Sequence, residues 1–131
     1  MTTNQNPTGI TSFRPDLTGN SHAVSSGHHL ATAAGFRILE QGGNAIDAGV
    51  ASGIAINVVV ADNTSFGGVA PIVLYDANAD RVSTISGLGR WPKSATLEHF
   101  LEDRGGDIPP GMERVIVPAA PDAWLTPLSD H

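Results

Sequence analysis

The sequence predicts an α+β fold, a helical layer beside a β-hairpin, incomplete within this chain, and three observations carry the prediction. Apolar residues fall at helical spacing from His28, stop at Gly42-Gly43-Asn44-Ala45, and resume. The resumed helix is apolar nearly all round, as an inner layer is. Further on, two apolar runs flank Asp76-Ala77-Asn78-Ala79-Asp80, an Asp and Asn turn that reads as the tip of a hairpin.

The elements follow in order. Residues 1–20 are rich in Thr, Asn, Pro and Gly without an apolar period, so they read as a flexible N-terminal arm, and residues 21–131 as the folded portion. An extended stretch from His22 to Ser26 leads into a first helix whose stripe is Leu30, Ala33, Ala34 and Ile38, widened by Phe36 and Leu39. Gly42 ends it, because the residue past a last turn often adopts a left-handed conformation that penalises a Cβ. Asn44 is placed as N-cap of the second helix, Ala45 to Val59, with Asp47 three residues on, where a carboxylate can reach back to free amides.

Small residues at Ala45, Ala48, Gly49, Ser52 and Gly53 leave room for close packing on one face of that helix. Each interior Gly costs about 1 kcal/mol relative to Ala, so a neighbour is expected against this face. Strands are expected at Ala70–Tyr75 and Arg81–Ser86 after the turn Phe66-Gly67-Gly68. A short helix at Leu97–Leu101 with Ser94 as a possible cap, a loop at 104–111, a strand at Val115–Val117 and a helical start at Asp122–Leu125 complete the reading.

Composition narrows the function. The chain has 131 residues, 40% hydrophobic and 15% charged, a length that suits one domain at most. A formal charge of −6 with seven scattered basic residues argues against nucleic acid or an anionic membrane as partner. The absence of Cys excludes disulfides and thiolate sites. The N-terminus lacks a basic region followed by an apolar one, so the expected location is cytoplasmic. Gly49-x-x-x-Gly53 lies in an uncharged run too short to span a bilayer and reads as close packing in a soluble core.

The ordered set VSSGHHLATAAGFRILEQGGNAIDAGVA, a Gly-Gly turn, and an apolar strand ending LYDA resembles the start of the large subunit of γ-glutamyltransferases and their amidohydrolase relatives. The resemblance runs from about Ser21 to Trp124. It implies part of an αββα N-terminal nucleophile hydrolase sandwich, made as a zymogen that cuts itself into two subunits. The N-terminal Thr of the small subunit would attack an amide carbonyl, with its own α-amine as base. That subunit lies outside this sequence, so no residue here is assigned as catalytic. Thr2, exposed by removal of Met1, has suitable chemistry but lies in a polar arm without a cleft.

The resemblance also implies an Arg-Glu pair, just after the second strand, that grips the α-carboxylate of a glutamyl group. Aligned on Pro92 and Ala95-Thr96, this chain has Leu88 and Gly89 at those positions. Arg90, two residues displaced, is the one candidate substrate-binding residue, because a guanidinium can clamp a carboxylate bidentately. A solvated loop Arg is an equal reading. The departure shifts weight from γ-glutamyl compounds toward other small amides.

Other features read as structural. His28-His29 lacks a third metal ligand, Phe66-Gly67-Gly68 lacks the Lys and helix of a phosphate loop, and Asp62 and Asp76 read as turn and strand-end residues. No cofactor or metal is expected. Two functional readings remain: the leading segment of a self-processing amide hydrolase or acyltransferase, or a catalytically inert binding or assembly module on the same scaffold. The first takes the remainder of the large subunit and the small subunit as partners, and predicts self-association of the isolated piece through its apolar faces.

Overall fold

The computed structural model describes residues 17–130. Thr2 and most of the arm expected at residues 1–20 lie outside them.

Helix α1 spans His29–Glu40. His28 caps it, the ring Nδ1 accepting the Leu30 amide at 3.2 Å, and Ser26 and Thr32 both donate hydroxyls to the His28 carbonyl. The chain leaves through Gly42, whose φ of 89° suits a residue without Cβ, and the Gly43 amide returns to the Ile38 carbonyl at 2.9 Å. Helix α2, Ala45–Val59, opens with the predicted capping box. Asn44 Oδ1 accepts the Ile46 and Asp47 amides at 2.7 and 2.9 Å, and Asp47 Oδ2 accepts the Asn44 amide at 3.1 Å.

The two helices meet through their smallest residues. Ala31 and Gly35 are the buried positions of α1, against Ala48 and Ser52 of α2. Ser52 Oγ donates to the Ala31 carbonyl at 2.9 Å, and a Cβ on Gly35 would overlap that hydroxyl. The stripe predicted for α1 is therefore displaced: Leu30 and Phe36 are more exposed than buried partners, and Ala33 is exposed. Close approach of two backbones selects side-chain size over hydrophobicity, which leaves the larger apolar groups outside. Helix α2 is likewise not covered all round, since Val58 is 69% exposed.

Strands β1, Ile72–Asp76, and β2, Arg81–Ile85, form an antiparallel hairpin with Leu74 opposite Ser83. The register continues below it, where the Ala70 amide donates to the Gly87 carbonyl at 3.0 Å. Pro71 has no amide to extend the ladder, so β1 begins two residues later than predicted. At the tip Asp76 Oδ1 accepts the Asn78 amide at 2.9 Å, and Asp80 sits at φ 47° with its carboxylate on the Tyr75 hydroxyl at 2.8 Å. This hydrogen bond to Asp80 is the main cause that raises the Tyr75 pKa.

Helix α3, Leu97–Asp103, is capped by Thr96 rather than Ser94. Ser94 lies within the turn closed by the Ala95 amide on the Pro92 carbonyl, leaving Thr96 next to the first helical residue. A 3-10 turn, Met112–Arg114, precedes residues 115–117, which are extended but not a strand. Beyond the 3-10 turn they make one backbone bond, from the Val117 amide to the Arg90 carbonyl at 3.1 Å, too few for a ladder. Helix α4 spans Ala120–Asp130, longer than predicted, with Pro127 inside it and buried.

The core lies where α4 meets the base of the hairpin: Ala70, Ala120 and Ala123, with Ile72, Ile85 and Trp124 packed against them. The small face of α2 receives two neighbours. Ala48 and Ser52 take α1, while Gly53 takes Trp124, whose ring would lie 2.5 Å from a Cβ placed there. Gly49 touches neither and instead lines a cavity of about 420 Å³ between α2, β1 and α4. The turn at Gly67-Gly68 seats α4: the Gly68 carbonyl accepts both the Ala119 and Ala120 amides at 3.3 Å.

Candidate functional site

The loop after β2 is placed by backbone contacts. Gly87, at φ 57°, is buried against the Ala70 carbonyl, which leaves no room for a side chain. Leu88 follows and is 56% exposed. Gly89 lies under residue 117, and a Cβ at Gly89 would overlap the Val117 carbonyl oxygen. Arg90 offers its carbonyl to the Val117 amide, and its side chain projects from an exposed residue. Among the described residues no carboxylate pairs with Arg90. The Arg90 side chain is thus exposed and makes no ion pair with any carboxylate among the described residues.

Beside this loop is a charged cluster that the sequence did not single out. Trp91 packs on Phe100 of α3 with ring centroids 5.4 Å apart. His99, one residue before Phe100, has Nδ1 2.9 Å from Asp103 Oδ2 and Nε2 3.6 Å from Glu113 Oε1. Arg104 donates from Nε to both Glu113 oxygens, at 3.2 and 3.0 Å, and from Nη2 to Oε1 at 2.6 Å. The bond from Arg104 chiefly holds the Glu113 carboxyl below the usual carboxylate range, and His99 adds to the effect. Pro92, Ala95, His99, Phe100, Met112 and Glu113 line a depression of about 340 Å³ where loop, α3 and the 3-10 turn meet. His99 and Asp103 were visible as an i, i+4 pair, but Arg104 and Glu113 are nine residues apart with no period to link them.

The remaining candidates have structural places. The His28 and His29 rings stack at 4.3 Å, with His28 used as the α1 cap. Asp62 lies in the turn after α2, and Asp76 ends β1. Among the described residues no group of three His, Cys, Asp or Glu is arranged to hold a metal, and no helix is long and apolar enough to cross a membrane.

The paired small-residue helical layer and the hairpin beside it superpose on part of solved structures of the N-terminal nucleophile hydrolase fold. Residues 31–131 match the family described as gamma-glutamyltranspeptidase, and the chain belongs to that family. It is 36% identical over 91 residues to the glutathione hydrolase proenzyme of Bacillus subtilis (strain 168), covering 70% of this chain and 16% of that protein. It is 36% identical over 132 aligned positions to the acylase ACY 1 proenzyme of Pseudomonas sp. (strain V22), covering 92% of this chain and 23% of that protein. The crystal structure of Helicobacter pylori gamma-glutamyltranspeptidase superposes with a TM-score of 0.72 at 30% identity, covering 89% of this chain and 34% of that one. The chain therefore spans roughly a sixth to a quarter of the curated relatives it matches.

Proposed function

We propose that this chain is the leading part of the large subunit of a self-processing amide hydrolase or acyltransferase, with a small uncharged acyl group preferred over γ-glutamyl. The catalytic Thr is carried on a small subunit, which with the remainder of the large subunit is the partner this reading requires. The Thr hydroxyl adds to the amide carbonyl while its α-amine takes the proton. The amine leaves with a proton, and water or an acceptor amine then takes the acyl group.

One observation carries the substrate preference. Gly89, at the position where the family resemblance places an acidic clamp residue, is closed to any side chain by the Val117 carbonyl. Its neighbour Leu88 presents an exposed apolar surface. Arg90 remains as an exposed cation on the loop, able to meet a carboxylate but without the acidic partner that would meet an α-ammonium group. Similarity to an acylase proenzyme over most of the chain supports the same preference.

The test is a substrate comparison in the full-length protein carrying this segment. Simple acyl anilides are expected to give the higher kcat/KM, and Arg90→Ala is expected to leave it nearly unchanged for them. A clear preference for γ-glutamyl anilide that Arg90→Ala abolishes would sink the proposal.

A further inference from the structure

We infer that residues 112–117 are a positioning strap for the Arg90 loop, anchored at one end by Glu113 on Arg104 and His99 and seated at the other by Val117 on Gly89 and Arg90. The anchored end has fixed geometry: a bidentate guanidinium contact is directional, and two flanking groups hold the same carboxylate. The 3-10 turn closes on itself through the Arg114 amide on Gly111 and the Val115 amide on Met112, both at 3.1 Å. Arg114 adds a bond from Nε to the Ile108 carbonyl at 2.8 Å. Little slack remains between anchor and seat.

At the seat, the strap fills the space that a side chain on residue 89 would take, so the backbone at Gly89 is in direct contact with that at Val117. The Val117 amide fixes the Arg90 carbonyl, and the next residue, Trp91, packs on Phe100. Three successive loop residues are thus set by elements distant in sequence, and the direction in which Arg90 projects follows from them. Glu113 pairs with Arg104 and His99 and not with Arg90; it acts through the strap. Its consequence for substrate rests on the function proposed above, whereas the strap itself does not.

The strap is read by amide hydrogen exchange in the 131-residue chain. Glu113→Gln is expected to speed exchange at Val117 several-fold, up to about tenfold, as expected when one hydrogen bond's worth of local protection is lost. Protection in α2 should not change. Gly89→Ala is expected to unseat Val117 and give the same local signature. Unchanged Val117 exchange in Glu113→Gln would overturn the strap, as would loss of protection spread equally over α2. In the full-length protein, Glu113→Gln is expected to raise KM for an amide that carries a carboxylate, the group Arg90 can meet, while kcat is largely kept. Faster Val117 exchange with no change in KM would keep the strap and refute the role of the loop in substrate binding, so the two failures are distinguishable.

Discussion

The α1–α2 pair and the loop region 87–117 are held together in opposite ways. The helices join through Ala31, Gly35, Ala48 and Ser52, side chains so small that two backbones meet, with one buried hydroxyl bond between them. The loop region joins through Arg104 and the half-buried Glu113 and His99, a backbone bond, and a single absent Cβ at Gly89. Packing of the first kind tolerates changes in pH and salt but not in volume. The second kind responds to all three.

Substitutions can break this contrast, the largest effect first. Gly53→Val places a branched side chain against the Trp124 ring and is expected to cost about 1–3 kcal/mol, read as a lower denaturation midpoint. An unchanged midpoint would mean that Trp124 moves aside freely. Asn44→Ala removes one half of the α2 capping box and is expected to cost about 1 kcal/mol, measured by urea unfolding.

Acid sharpens the comparison. Glu113 has a folded pKa below its ordinary value, so its contribution is fully present above the ordinary carboxylate range and is lost as pH falls through the depressed value. Acidification is therefore expected to release Val117 amide protection while the Ser52 contact between helices persists. Glu113→Gln should abolish that difference between the regions. The smallest effect is that of salt: raising ionic strength is expected to loosen residues 112–117 slightly and leave α1 and α2 as they are.

The same division governs what the sequence revealed. Both long helices, the Asn44–Asp47 box, the hairpin and its Asp76 turn depend on residues a few positions apart, and their signals are local. The buried face of α1 was misread because periodicity weights Leu30 and Phe36 above Ala31 and Gly35, whereas contact between helices favours the reverse. The strand expected at Val115–Val117 has strand-forming residues but lies against a loop with one bond to give, which only the tertiary path decides. Arg90 and the departure at Leu88-Gly89 were legible from the resemblance. That Val117 closes Gly89 was not, because a Gly in sequence does not say what stands over it.

The hairpin carries its own asymmetry. Leu74 is buried on one face, while Val73, Tyr75 and Val82 are exposed on the other. Self-association of the 131-residue chain is accordingly expected in sedimentation, and Val73→Lys should reduce it.

Gly68 gives α4 a mechanical property. Because one carbonyl oxygen takes the amides of both Ala119 and Ala120, sliding the helix along its axis would break two bonds at a single point. Tilting it about that point would keep both. The Gly68 oxygen is thus a pivot at the near end of α4, and the distance from it to Trp124 and Pro127 is a lever arm. A small rotation there would widen or narrow the space beside Gly49 and would carry Ala123 and Trp124 with it.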